Sequence, residues 1–223
     1  MIWRGLLLLW MTESMVAAFT WAPLVPGLEE TTRVLYFHIP AAWLSVVGLA
    51  WSMVHSLLYL GRRRIEHDDH AAAAAELGLL FCVVATVSGS VWAKAVWHSY
   101  WNWDPRETSI FFILLIYGAY LALRSAIEGE ERRARLSAIY SAAAFVTVPF
   151  LMFVVPRIYF SLHPDPLINP GGKIEMDPRI RIGFGAMLVG FTGLFAWLLS
   201  LRVRLVRLER VQLEAGAVPG GSL

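Results

Sequence analysis

The sequence predicts an all-α, polytopic membrane protein with six transmembrane helices and a tryptophan-rich loop outside the bilayer. Three observations predict it. The 223 residues are 57% hydrophobic and only 16% charged, with a mean hydropathy of +0.57, a balance suited to lipid rather than to a soluble surface. The apolar residues gather into six runs of roughly 20, the length that a bilayer core requires. The basic residues fall between the runs, and unevenly so.

The runs cover roughly 4–25, 40–60, 72–95, 108–124, 136–156 and 183–203, each long enough to span. The first begins almost at Met1 with no small-residue cleavage site ahead of a polar region, so it is expected to be retained. The second follows Pro40. The third holds Cys82, the single cysteine; with no partner in the chain and no C-x-x-C-H motif, a disulfide framework and a c-type cytochrome are both excluded. The fourth is announced by Asp104-Pro105-Arg106-Glu107, where a capping residue, a first-turn proline and a glutamate three residues after the cap form a capping box. Pro149 and Pro156 should kink or end the fifth. Asp177-Pro178 should start the helix leading into the sixth in the manner of the fourth. These six spans make one domain, residues 1–215, and the Gly- and Pro-containing stretch 216–223 is expected to be a disordered tail.

An even number of spans puts both termini on one side. Twelve of the 19 basic residues lie there, among them Arg62, Arg63, Arg64, Arg132, Arg133, Arg135, Arg204, Arg207 and Arg210, against seven on the other side. The positive-inside rule then places the termini in the cytoplasm. Three segments share the outer side: 26–39, 96–107 and 157–182. The inner connectors, including the acidic pairs Asp68-Asp69 and Glu130-Glu131, read as ordinary solvated links.

The segment Trp97-His98-Ser99-Tyr100-Trp101-Asn102-Trp103-Asp104 carries four large rings in seven residues. A lone tryptophan at such a position belongs to the aromatic belt of any membrane protein. This density suits a platform for something flat and apolar. Trp97 and Trp101 share a face if the segment is helical, and Trp101 and Trp103 if it is extended. His38 and His163 stand at the outer ends of different spans, on the side of the platform. Either alone would be read as an interfacial residue; together, neutral imidazoles beside an aromatic bed suit the axial ligation of haem. His98 ranks below them. Arg33, Lys94, Arg106 and Arg157 are candidate partners for propionates, although each alone reads as a snorkelling residue. Asp104 is needed as a helix cap whatever the ligand, and it could also orient indole N–H groups or Arg106. His55 lies about 25 Å along the second helix, at the other end. His67 and His70 read as a solvated loop rather than a metal site. Glu13, an acid in mid-span, calls for a partner, on a neighbouring helix or another subunit.

The run ending Trp101-Asn102-Trp103-Asp104-Pro105-Arg106-Glu107-Thr108 resembles the WWD signature of haem-handling proteins. Arg33-Val34-Leu35-Tyr36-Phe37-His38-Ile39-Pro40-Ala41-Ala42-Trp43 resembles the segment before the second span of the CcmC family, and Ser161-Leu162-His163 its third outer loop. Size and six-span topology agree over nearly the whole chain. The resemblance implies a haem-delivery subunit of cytochrome c maturation in the bacterial inner membrane. It would bind haem b transiently on the periplasmic face and pass it to the haem chaperone CcmE, in association with the ABC subunits CcmA and CcmB and a small CcmD-like subunit. It implies His38 and His163 as axial ligands, and Trp97, Tyr100, Trp101, Trp103 and Asp104 as the surface that meets haem and chaperone. It departs from the family pattern at Ala93 and His98, where glycine is usual, at Tyr100, and at Tyr159-Phe160, where tryptophans are usual. Asp104-Pro105-Arg106-Glu107-Thr108 is closer to the CcsA-type cytochrome c synthases, which makes a haem-attaching enzyme subunit the alternative. Those synthases are longer and carry further histidine-bearing spans. A membrane cytochrome b would need histidine pairs within spans, and a permease a polar path through them, of which only Glu13 is read. No catalytic nucleophile is found.

Overall fold

The computed structural model describes residues 2–163 and 176–217. Six helical segments are long and apolar enough to cross a membrane, and the protein is a multi-pass, all-α membrane protein. Helix α1 is Ile2–Thr20; a 3-10 turn, Glu30–Val34, leads into α2, Leu35–Arg62; α3 is Ile65–Trp97 and α4 Pro105–Ala126. The fifth span is broken into α5 (Glu130–Phe145), α6 (Thr147–Pro149), a π-helical turn (Phe150–Val154) and α7 (Val155–Ile158), and α8 is Pro178–Ala217. Residues 218–223 of the expected tail, and Pro164 and Lys173 of the last loop, lie outside the described residues.

Several ends differ from the hydropathy pattern for local reasons. Helix α1 stops at Thr20 rather than near residue 25, because Pro23 and Pro26 cannot donate and each disfavours helix before it. Arg33 ties down this end, its guanidinium donating to Ala18 O in the last turn of α1 and, at 2.9 Å, to Ala22 O just beyond it. Helix α2 starts at Leu35, ahead of Pro40, so His38 is in its first turns rather than in a loop. Arg63 turns left-handed (φ 56°) and its N–H closes α2 on Tyr59 O at 2.8 Å. Only Arg63 and Arg64 separate α2 from α3, which forces the two helices antiparallel side by side. They approach closely: a Cβ on Gly48 would lie 2.8 Å from Gly78 Cα. The fifth span breaks at Val146 and again after Pro149, which has no N–H to offer Phe145 O and leads into the π-helical turn. Asp177 caps α8 through Arg179 N at 2.8 Å.

The acidic pair Asp68-Asp69 is not a solvated connector. Both residues are buried in the first turns of α3. Asp68 takes a two-pronged bond from Arg124 (2.7 and 2.8 Å), and Asp69 one from Arg210 (3.0 and 3.0 Å). These pairs tie α3 to α4 and α8 and extend α8 well beyond its apolar run, because buried carboxylates are stable only when paired. Glu76, inside the third span and not singled out by the sequence, is likewise bound by Arg202. It is therefore a second intramembrane acid beside Glu13. Glu13 itself lies on the exposed side of α1, which packs against α8, with Trp10 Nε1 donating to Ala186 O at 2.9 Å.

Candidate functional site

The tryptophan segment leaves the helix at once. Helix α3 ends at Trp97, and His98 takes the left-handed conformation (φ 61°) that helix ends reserve for glycine. The strain-tolerant fold of this corner is therefore kept although the residue is histidine. Trp103 is also left-handed (φ 56°). The loop then enters α4 through the expected capping box: Asp104 Oδ1 accepts from Arg106 N at 2.9 Å, and Glu107 Oε2 from Asp104 N at 3.2 Å. Glu107 also accepts from Asn102 N at 2.7 Å, which holds the loop down.

This path divides the aromatic residues into two groups. Trp97 packs edge-on against Trp92 and against His163, both at 5.0 Å between ring centres. Trp101 and Trp103 pack edge-on against each other at 5.8 Å and against Phe111. Trp97 and Trp101 do not share a helical face, because the helix has already ended. Tyr100 and Trp103 remain exposed, as do Tyr159 and Phe160, and Trp103 and Tyr159 line one shallow apolar pocket. Trp92 was not singled out in the sequence; it stands five residues before Trp97, outside the dense run.

Asp104 does more than cap a helix. Its carboxylate accepts from Leu162 N (2.7 Å), Ser161 Oγ (3.1 Å) and His163 Nδ1 (2.9 Å). One buried carboxylate therefore joins the tryptophan loop to the segment carrying His163. It orients a histidine rather than an indole N–H. Burial pulls the Asp104 carboxyl upward, but the amides of Arg106 and Leu162, with His163 and Ser161, outweigh it and leave it below the usual carboxylate range. An ion pair would lift His163; instead burial dominates the attraction of Asp104 and lowers the imidazole to about 4. The pair is therefore a neutral imidazole donating Nδ1–H to a carboxylate, with the ring's lone pair on Nε2.

His38 reaches the same state by a different route. Its Nδ1 lies 2.9 Å from Ala85 O, a carbonyl that can only accept, so Nδ1 carries the proton and Nε2 the lone pair. Ser88 Oγ is 3.2 Å from the same nitrogen. Gly89 makes room for the ring, since a Cβ there would sit 2.8 Å from His38 Cε1. His38 thus lies over Ala85, Ser88 and Gly89, and His163 over Trp92 at 6.1 Å. These positions follow one stripe of α3, about 6 Å apart for four residues at 1.5 Å each. The two histidines share one end of the bundle and one face of one helix. Gly89→Ala is expected to displace the His38 imidazole from Ala85 O, with insertion and thermal melting kept, a change read from the His38 ring resonances of the labelled, purified protein.

The candidate cations fare unequally. Arg33 is held at the end of α1, beside Glu30 at 3.5 Å. Lys94 donates to His98 O at 3.0 Å and lies over the Tyr100 ring. Arg157 donates to Phe153 O at 2.6 Å. Arg106 follows Asp104 directly, and its charge helps to lower His163.

The donor set fits a haem. Two imidazoles with Nδ1–H held by an acceptor are the arrangement that metal-binding histidines use, leaving Nε2 to the iron. Aromatic rings and an arginine flank them. Comparison with known proteins agrees on ancestry. Over residues 1–216 the chain matches the family described as Heme exporter protein C, CcmC. It is 30% identical over 196 residues to a Heme exporter protein C of Rhodobacter capsulatus, covering 85% of this chain and 78% of the relative. It is 32% identical over 168 residues to that of Bradyrhizobium diazoefficiens (75% and 64%), and 27% identical over 205 residues to that of Escherichia coli K12 (87% and 78%). The chain, with its six spans and its tryptophan loop tied to a histidine by Asp104, belongs to the CcmC family.

Proposed function

We propose that this protein handles haem for cytochrome c maturation, holding haem b transiently between His38 and His163 and delivering it to the haem chaperone CcmE. The observation that carries the reading is the matched state of the two histidines: each is held by Nδ1–H, to Ala85 O and to Asp104, over neighbouring turns of α3. The printed name of the relatives, Heme exporter protein C, supports haem as the cargo. The uneven placement of arginines supports a periplasmic site with cytoplasmic termini. Arg106 is the favoured propionate partner because it directly follows Asp104, the carboxylate that holds His163, in the first turn of α4. Trp97 and Trp92 flank His163, while the exposed Tyr100 and Trp103 form the rim that a chaperone would meet. The protein contributes position rather than a nucleophile: a haem held in one orientation at a membrane surface meets its acceptor without an orientational search. Membership of the family supports association with CcmA, CcmB and a small CcmD-like subunit, and the exposed Glu13 face of α1 is the favoured docking side.

Co-expression with CcmE tests this. The purified protein is expected to show a two-histidine haem spectrum and to capture haem-loaded CcmE. Absence of both haem and chaperone from a folded preparation would overturn the reading.

A further inference from the structure

The end of the bundle away from the tryptophan loop carries a second histidine group. The two-residue turn at Arg63-Arg64 folds α3 back on α2, bringing His55 of α2 against His67 and His70 of α3. His55 and His70 stack at 4.6 Å between ring centres, and Trp51 closes the other side of His55 at 5.2 Å. His55 Nδ1 and His67 Nδ1 stand 3.3 Å apart. Two further nitrogens, His67 Nε2 and His70 Nδ1, are buried with no hydrogen-bond partner among the described residues. The expected solvated loop is therefore absent here: both α3 histidines are helical and half-buried.

Buried polar atoms without partners call for an explanation. The spacing suggests one for His70 Nδ1, though not for His67 Nε2, since His67 faces His55 through Nδ1. A tetrahedral ion bound by imidazoles at about 2.0–2.1 Å separates its ligand nitrogens by about 3.3–3.4 Å, the distance already found between His55 and His67. Axial ligands of a haem stand on opposite faces of the macrocycle, for which nitrogens in direct contact leave no room. Among the described residues no three such groups are already gathered on one point, so the site requires His70, whose Nδ1 lacks a partner, to leave its stack on His55. Local charge is balanced, with Asp69 beside His70 but held by Arg210 and Arg207.

We propose that His55, His67 and His70 form a binding site for a divalent transition-metal ion of the zinc, nickel or copper type, separate from the haem site and clamping α2 to α3. Imidazole ligands suit these ions rather than magnesium or calcium. The site adds no chemistry to haem transfer; it fixes the hinge from which α3 carries the surface under His38 and His163.

The test uses the full-length protein without a histidine tag, purified metal-free, and titrated with zinc by calorimetry and with cobalt by absorbance. One equivalent should bind, cobalt should give the intense bands of a tetrahedral ion, and the thermal midpoint should rise. His67→Gln and His70→Gln should each weaken binding about tenfold or more, the scale of even outer-sphere losses at metal sites. The His38→Ala/His163→Ala protein should bind as tightly as the parent. Equal affinity in the histidine-to-glutamine variants, or weak octahedral cobalt bands only, would overturn the proposal. Should His67→Gln fail to insert, the more conservative His55→Asn decides the matter by the same titration. Failure here leaves the haem reading untouched, since the haem spectrum is recorded on the same samples.

Discussion

His38→Ala combined with His163→Ala is expected to reduce haem co-purifying with the protein to background, while the six-helix bundle still inserts. Each imidazole is held through Nδ1 and, on the proposed reading, meets haem through Nε2, so removing a ring would delete a ligand and leave its anchor. Those anchors tolerate the loss differently. Ala85 O keeps its place within a helix, and Asp104 retains the Ser161, Leu162 and Arg106 donors. The single variants should each lose about tenfold or more in haem affinity, about 1.4 kcal/mol per decade, and the double variant both decades. Haem absorbance per protein, alongside size exclusion and melting, measures it. Full haem content in the folded double variant would remove both residues from the site. The parent also has a defined acid response. His163 is neutral in the fold down to about pH 4, whereas an unfolded histidine protonates near 6.5. No proton therefore competes for its Nε2 between pH 7 and about 5, and haem should be held across that range. The same depressed value makes the fold lose stability as pH falls from about 6.5 towards 4, because only the unfolded chain takes up that proton.

Much of this architecture is legible in the residues. Six apolar runs announce the spans, and the capping box at Asp104 and the prolines of the fifth span act where they stand in the sequence. These features are local: hydropathy, a missing N–H and a cap each act within a few residues. What escapes is every pairing between distant segments. Asp68 and Asp69 look like loop acids until α4 and α8 bring Arg124 and Arg210 over them. Trp92 and Gly89 are ordinary span residues until His163 and His38 lie on them. His67 and His70 look solvated because the turn that returns them to His55 consists of two arginines, with no glycine or proline to mark it. The two site histidines can be recognised by motif. Their shared tautomer, which leaves Nε2 free for the proposed iron contact, depends on a carbonyl 47 residues from one and a carboxylate 59 residues from the other.

Asp104 is where these distant pairings matter most, and its two substitutions should separate structure from ligation. In Asp104→Ala the amides of Arg106 and Leu162, the Ser161 hydroxyl and His163 Nδ1 lose their acceptor together. Losing the cap costs about 1 kcal/mol, and each buried donor left unpaired about 1–3 kcal/mol. The tryptophan loop and the His163 segment should come apart, with a clear fall in melting temperature and no haem. Asp104→Asn is the sharper test. The amide oxygen can still cap α4, but its N–H₂ can be turned towards His163 Nδ1, which then accepts and moves the imidazole proton to Nε2. A ring protonated there offers iron no lone pair. Haem affinity should fall about tenfold or more, about 1.4 kcal/mol per decade, although the bundle and its loops persist. Acid melting supplies the independent readout. The Asp104 carboxyl is held below its ordinary value, so its stabilisation is complete above the unfolded carboxylate range near pH 4 and is lost as pH falls through the folded value. Asp104→Asn should abolish that part of the acid loss, while the histidine part still begins near 6.5 and runs to lower pH than in the parent, because the carboxylate that raises His163 is gone. If Asp104→Asn bound haem as the parent does, the carboxylate would be a strut between two loops and His163 would not depend on it for its tautomer.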